Sequence, residues 1–531
     1  METSTPMTSR EPTPAPSRRS SLAPFDEEKE SSIKVLSSVL PPLLAVLVYA
    51  FLFRVGPPPL AAQMEPLPPS SASFVSSSPA ASPKQPPSSP HPLDASCRQS
   101  CRLTIVESIP ENVTFGDVEL PMSTYDAWST LIDAAQSEIH IAAYKSCLRG
   151  KHNLGQEIPA TRWGSNIFNS LVAAGRKGLT VRMVENFHSK DPGDNADGAG
   201  LVRRGAVQRR SLDIERLLGK GMMHSKFLVV DSRHFYIGSA NLDWRSLNQK
   251  MELGVLMQDC PCLGSDMNSI FDGYWSLSHE RFLNETPVVE DHAPPTLYSR
   301  HNPLRMLHQG VPTSVYIASS PKALNGEGRT WDLEAILETI NGARQFLYIH
   351  VMDYIPMIVY SQPQRFWPVI DDSVRRAVME RGVEVRLLAA ALHFVPQTLR
   401  FLKSLQTLDG AAPNGGSIAI KIFKVPVVAP WQRQPVIARD RRTHNKFVVN
   451  EQAILVGTSN FAGDYFEGST GLAFVARQDE TAQRPLVDEL KSIFIRDWES
   501  PYAHSLRTIL ASCLHGNPEE FPELCEQEKK F

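Results

Sequence analysis

The phrase HSKFLVVDSRHFYIGSANLDWRS, which begins at His224, returns at His444 as HNKFVVNEQAILVGTSNFAGDYF, and this doubling limits the possible folds more than any other feature of the chain. By position, the first copy is His224-x-Lys226, four residues, Asp231, then Gly238-Ser239-x-Asn241. The second is His444-x-Lys446, four residues, Glu451, then Gly457-Thr458-x-Asn460. A lone H-x-K-x4-[DE] arises by chance about 0.1 times in a chain of this length and composition, so one copy would carry little weight. Two copies at matching places carry a great deal. A third string, His188-Ser-Lys190-Asp191, is set aside because the DPGDNADG that follows cannot form a strand.

The text around the phrases repeats as well. A helical pattern over 123–136 leads into the apolar run EIHIAAY, and one over 166–175 leads into LTVRMVE. The later part answers with 332–342 before QFLYIHVMDY and 371–381 before VEVRLLAAA. The expected fold is therefore α/β, with two tandem halves at 97–300 and 301–531 related by a pseudo-twofold axis. With 42% hydrophobic and 21% charged residues there is ample material for a large core, and a disordered or fibrous whole is excluded. A net charge of -3 excludes a polycation, so any contact with nucleic acid or anionic lipid must come from a local basic patch.

Ahead of the halves the composition changes. Residues 35–53 carry no charge, and 19 residues at about 1.5 Å each reach roughly 28 Å, enough to cross a hydrocarbon core. Arg10, Arg18, Arg19, Lys29 and Lys34 precede this span, whereas Arg54 is the only basic residue after it before Lys84, so the positive-inside rule keeps a cytosolic tail at 1–34. The span is read as a transmembrane signal anchor. Residues 54–96 are rich in Pro and Ser and read as a stalk. All 7 cysteines lie at or beyond Cys97, and sequons stand at Asn112 and Asn284, both consistent with a lumenal catalytic part in the endoplasmic reticulum, Golgi and endolysosomal system.

In a strand, residues i and i+2 share a face, so His224 with Lys226, and His444 with Lys446, look into one site. Asp231 and Glu451 have the opposite parity and are expected to brace a turn. If the halves meet about the pseudo-twofold axis, the two imidazoles face each other across one phosphodiester. One attacks phosphorus to form a phosphohistidine and the other protonates the leaving oxygen. Lys226, Lys446, Asn241 and Asn460 then hold the phosphoryl oxygens. The acidic clusters of a two-metal site are absent from both phrases, so no metal and no cofactor is expected. Fourteen residues after Gly238 stands Glu252, where the second half offers only Ser469 and Thr470. Glu252 is either a solvated charge at a strand start beside Lys250 or the carboxylate partner of one histidine. On the second reading it serves His224, the expected nucleophile. The runs Arg203, Arg204, Arg209, Arg210 and Arg439, Arg441, Arg442 either line a phosphate groove or are simply solvated, and Trp244 and Phe461 either stack bases or sit in the core.

With GSANLDWRSL, VMDYIP, RFWPVIDDSVRRA and FIRDWESPY, the doubled HKD phrase resembles the phospholipase D superfamily and, within it, the single-pass type II lysosomal branch known as the phospholipase D three/four group. The resemblance runs from about Cys101 to Tyr502. It implies two phospholipase-D-like α/β halves and a metal-independent 5′ to 3′ exonuclease on single-stranded DNA or RNA that releases 3′-phosphorylated nucleotides. It also implies lysosomal sorting and disulfides that bridge Cys97 and Cys101 to Cys260 and Cys262, with Cys513 to Cys525 as a third bridge and Cys147 free. The partners it implies are a single-stranded nucleic acid substrate and a membrane reached through one helix, with a homodimer left open. YKSCLRG at 144–150 departs from the branch's usual Y-x-W-x-L. The same histidine pair would serve a phospholipase D or transphosphatidylase on phospholipid, and an inactive membrane-tethered binding protein is a third reading.

Overall fold

The computed structural model describes residues 92–187, 191, 193–280, 287–390, 397–478, 482–517, 519 and 521–529. The anchor and tail at 1–53, the stalk up to residue 91, the His188-Ser-Lys190 string and the Asn284 sequon lie outside the described residues. Among the described residues no helix is long and apolar enough to cross a membrane.

In chain order the first strands are β1 (Arg102–Ser108), β2 (Met122–Ser123), β3 (Glu138–Ala143), β4 (Ser146–Cys147), β5 (Thr180–Asn186), β6 (Gln208–Leu212), β7 (Lys226–Val230), β8 (His234–Gly238), β9 (Leu242–Asp243) and β10 (Glu252–Gln258). Eight of them form a mixed sheet in the order β2-β1-β10-β8-β7-β3-β5-β6, and β4 pairs with β9 apart from it. The later strands are β11 (Leu304–His308), β12 (Val311–Ser320), β13 (Phe346–Val351), β14 (Met357–Ile358), β15 (Arg365–Phe366), β16 (Glu384–Ala390), β17 (Ser417–Phe423), β18 (Lys446–Asn450), β19 (Ala453–Gly457), β20 (Gly471–Arg477) and β21 (Ala503–Ser505). Nine of these give the order β11-β12-β20-β19-β18-β13-β16-β17-β21. From β1 to β6 and from β12 to β17 the two orders match strand for strand. In each sheet the three strands at one side run parallel, joined by helices, while the HKD strand and its hairpin partner are antiparallel.

Alternation along β7 explains the layers. Phe227 and Val229 face Met267, Ile270 and Phe271 of the helix Pro261–Leu277. Leu228 and Val230 face Trp128 and Leu131 of the helix Thr124–Ala134 and Ile167, Phe168 and Leu171 of the helix Arg162–Arg176. Each such side chain stabilises the fold by about 1.5–3 kcal/mol on burial. The first of these cores is continuous with Phe447, Val449 and Val456 of the second half. Both sheets belong to one compact unit, Pro87–Phe531.

The acids of the two phrases hold turns. Asp231, in the left-handed region at φ 52°, accepts from the backbone N–H groups of Gln136, Ser137 and Glu138 at 2.8 to 2.9 Å, and from Ser137 Oγ at 2.6 Å. Glu451 accepts from the N–H groups of Arg344, Gln345 and Phe346 at 2.7, 3.3 and 3.4 Å. Each carboxylate thus pins the start of the neighbouring strand, β3 or β13. Disulfides join Cys97 to Cys262, Cys101 to Cys260 and Cys513 to Cys525, and Cys147 is a buried free thiol. The helix Pro92–Ser100 overlaps the end of the segment read as stalk, 54–96. Cys97 within it is bridged to Cys262, in the first turn of the helix Pro261–Leu277. Asn112 is exposed in a turn, as an acceptor for glycosylation must be.

Candidate active site

Two short bridges between the halves build the site. Met223, just before His224, pairs with Thr470 of the second half, and Thr443, just before His444, pairs with Met251 of the first. The exchange is reciprocal. His224 N–H and Ser225 N–H donate to Thr470 Oγ1 at 3.0 and 3.2 Å, while His444 N–H donates to the Met251 carbonyl at 2.8 Å. Each half therefore positions the other half's histidine. Lys226 and Lys446, at the starts of β7 and β18, turn back to donate to the carbonyls of His224 and His444, the latter at 2.6 Å. All four side chains are buried.

This exchange corrects the expected partner of Glu252. Its Oε2 lies 2.7 Å from Nδ1 of His444, not on His224, and accepts from Ser239 Oγ at 2.6 Å. The reason is the seam: Met251 bridges to Thr443, so the next residue, Glu252, falls against His444. Register shows what stands in its place in the other half. Gly238 pairs with Gly254, and Gly457 pairs with Ala473, so the equivalent of Glu252 is Gly471, which has no side chain. A Cβ at Gly471 would run into Ser459 Oγ. His224 instead packs between Tyr144 and Tyr465, with ring centroids at 5.0 and 4.8 Å.

The electrostatics suit an anion. Burial, then the charges of Lys226 and Lys446, hold the His224 imidazole well below the usual range, while the Thr458 backbone favours its charged form. His444 is likewise held well below the usual range by burial, then by the charges of Lys446, Lys250 and Lys226, against the pull of Asp440. Burial and the neighbouring Lys446 depress Lys226, and burial brings Lys446 down to about 7 despite Glu252 and Asp353. Burial also pushes Glu252 up to about 7 against the pull of Lys250 and Lys446. Glu252 and His444 are therefore one coupled pair that shares a proton below about pH 7. With that proton on either member, Nε2 of His444 carries a hydrogen. Cations crowded out of water beside neutral imidazoles are stabilised by a bound phosphate.

Asn460 Nδ2 donates to Tyr465 Oη at 3.0 Å, and the backbone N–H of Asn241 donates to Ser246 Oγ at 3.2 Å. The side-chain oxygens of both asparagines are buried without a hydrogen bond. Sequence reasoning passed over several neighbours: Tyr144, Tyr465, Lys250 and Asp353. Asp353 is fully buried, its acid pushed up to about 7 by burial against Lys446 and Arg442. In the strand register Ala143 stands opposite Lys226 and Val351 opposite Lys446, which makes Lys145 the counterpart of Asp353. Lys145 lies 3.3 Å from Asp243 and 3.4 Å from Asp194. The usable signal was that both residues stand two positions beyond a strand adjoining an HKD strand. Trp244 and Phe461 are core.

Two clefts flank the pair. One, of about 460 Å³, is lined by Tyr144 and Met222 on the His224 side, with Asp213 and Glu215. The other, of about 880 Å³, is lined by Lys424, Arg439, Arg441 and Arg442, the last of these two residues before His444. The second arginine run thus reaches a groove. The first does not: Arg209 pairs with Glu185 at 2.9 Å, and Arg210 donates to the Trp275 carbonyl and covers its ring. Among the described residues no cluster of His, Cys, Asp or Glu could hold a metal ion.

A family model described as PLD3/4, PLD-like domain matches residues 117–428. Human 5'-3' exonuclease PLD3 is 39% identical over 421 residues, covering 79% of this chain and 84% of that protein. Human 5'-3' exonuclease PLD4 is 36% identical over 423 residues, covering 78% and 81%. The crystal structure of a phosphatidylserine synthase from Haemophilus influenzae Rd KW20 aligns at a TM-score of 0.52 and 14% identity over 76% of this chain and 90% of that one, a likeness of fold alone. With two HKD strands meeting at one seam and a family model that spans more than half of its residues, the chain belongs to the PLD3/4 group of phospholipase-D-like proteins.

Proposed function

We propose that the protein is a metal-independent phosphodiesterase acting as a 5′ to 3′ exonuclease on single-stranded DNA or RNA, as the names of its PLD3 and PLD4 relatives suggest. The observation that carries the mechanism is the unequal state of the two imidazoles. His444 shares a proton with Glu252, whereas His224 is held neutral and has no carboxylate. His224 attacks phosphorus with a ring nitrogen lone pair. His444 delivers its Nε2 proton to the departing 5′ oxygen. The phosphate stays on the 3′ oxygen of the terminal nucleoside as a phosphohistidine. His444, now deprotonated, takes a proton from the water that hydrolyses this bond. Lys226, Lys446, Asn241 and Asn460 hold the non-bridging oxygens, the task a divalent ion performs elsewhere. His224 remains the nucleophile, for a reason opposite to the expected one: the carboxylate marks the acid.

The pseudo-twofold relation of the halves is supported by the matching strand orders and the reciprocal bridges. A lumenal location behind the 35–53 anchor is supported by the three disulfides and the exposed Asn112. In EDTA, the purified protein should shorten 5′-hydroxyl single-stranded DNA from its 5′ end, release 3′-phosphorylated nucleotides and leave phosphatidylcholine intact. Recovery of 5′-phosphorylated nucleotides, or loss of activity in EDTA, overturns the reading.

A further inference from the structure

The larger cleft holds cations that the chemistry does not use. Its walls are the end of β17 with Lys424, the segment running from Pro435 to Arg442, and the C-terminal helix Pro522–Lys529, which Cys513–Cys525 ties to the helix Leu506–His515. Arg442 stands at the inner end, near enough for its charge to bear on Asp353 and Lys446. Arg441 is committed to the fold, donating to Gln249 Oε1 and to the carbonyls of Glu111 and Pro426. Arg439 and Lys424 lie further out. The Arg439 guanidinium is held by Asp191 at 2.5 Å, a half-exposed pair on the groove wall. The Lys424 ammonium sits 4.7 Å from the centroid of the Phe521 ring.

This argument rests on the exonuclease reading. If His444 gives its proton to the leaving oxygen, the leaving strand departs on the His444 side. That is the side of the groove lined by Lys424, Arg439, Arg441 and Arg442 with Asp191 and Glu526, whereas the opposite cleft is lined by Asp213, Glu215 and Asp464 with Lys220, so the balance of charge favours phosphates in the first. We infer that the groove is the track for the strand on the leaving side of the scissile bond, with Arg442, Arg439 and Lys424 taking successive phosphates. Asp191 competes for Arg439 and sets a brake on binding. A single strand threaded this way meets Arg442, Arg439 and Lys424 on its 3′ side, against Lys220, itself paired with Glu467, in the opposite cleft, and this imbalance sets the direction of travel.

The test compares a dinucleotide, whose one phosphodiester fills the catalytic centre, with a 20-mer, using the full-length protein at several salt concentrations. Lys424→Gln and Arg439→Gln should each raise KM for the 20-mer about fivefold, the Coulomb energy of one lost contact in water. Each should also flatten the salt dependence of log KM by about 0.7. Dinucleotide turnover should stay at the wild-type value. Asp191→Asn, which frees Arg439, should lower KM for the 20-mer. Equal changes on both substrates, an unmoved 20-mer KM, or a raised KM in Asp191→Asn overturns the track. So does loss of anionic-vesicle binding in both variants with 20-mer kinetics intact, which reassigns the groove to lipid. A wild-type protein that cuts neither substrate fails the exonuclease reading itself.

Discussion

The first half's His224 sits between two tyrosine rings, one from each half, with no acid at its back, whereas the second half's His444 leans on a carboxylate that the first half supplies. The two sheets share their strand order and the two phrases share their spacing, so the asymmetry arises at a few positions that register makes equivalent. Glu252 corresponds to Gly471, and Lys145 to Asp353. A duplicated fold supplies two identical imidazoles. Displacement at phosphorus needs two different ones, a lone pair and a proton. One carboxylate placed across the seam makes the difference.

The largest effects come from removing either member. His224→Ala and His444→Ala should each lower exonuclease turnover by about 10⁴-fold. The comparison sharpens with a nucleotide p-nitrophenyl ester, whose leaving group departs without a proton. His444→Ala should recover most of its rate on that ester and His224→Ala none. The reverse pattern exchanges the two roles.

Glu252→Gln should come next, at about 10- to 1,000-fold. On the proposed mechanism, wild-type activity needs the shared proton of the Glu252–His444 pair and a neutral His224. It should fall above about pH 7, as the pair loses its proton, and fall again only well below pH 6.5, where His224 takes one up. Without the carboxylate, the alkaline limb should move down to the depressed value of His444 alone. A pH-rate profile identical to wild type would remove Glu252 from the mechanism.

The smallest effects on chemistry should come from the turn acids. Asp231→Asn should lose about 1–2 kcal/mol of stability, read from the denaturation midpoint, with kcat retained. Glu451→Gln, with longer hydrogen bonds, should lose less. The Asp231 carboxyl is held below its usual 3.8, chiefly by its Ser137 and strand N–H partners outweighing burial, so its contribution is present above pH 3.8 and fades as the pH falls further. A drop in kcat without a shifted midpoint would make these acids part of the chemistry.

Much of this was legible in the chain. Strand parity places Lys226 with His224 and Lys446 with His444 because side-chain direction in a strand is a local property, and the opposite parity of Asp231 and Glu451 sends them to turns. Glu252 was legible as a carboxylate and not as the partner of His444. Which histidine it meets depends on the crossing of Met251 with Thr443, a contact between residues far apart in sequence that no periodicity records. Tyr144 and Tyr465 escaped for a similar reason: an aromatic beside a motif reads as core until the facing ring is known. Lys145 and Asp353 sit two positions beyond equivalent strands with opposite charges, so a search for likeness between the halves passes over them.

The two bridges at Cys97 and Cys101 have a mechanical consequence. They fasten the helix Pro92–Ser100 to Cys260 and Cys262 at the start of the helix Pro261–Leu277, ahead of β1. β1 lies along β10, with Arg102 opposite Gln258 at one end and Ser108 opposite Glu252 at the other. Tension on the N-terminal segment would otherwise peel this ladder from Arg102 toward Glu252. Covalent bonds take up that load first, as a strain relief does where a cable enters its housing. Cutting or tugging the chain anywhere before Cys97 should therefore leave the register at Glu252, and the rate it supports, unchanged.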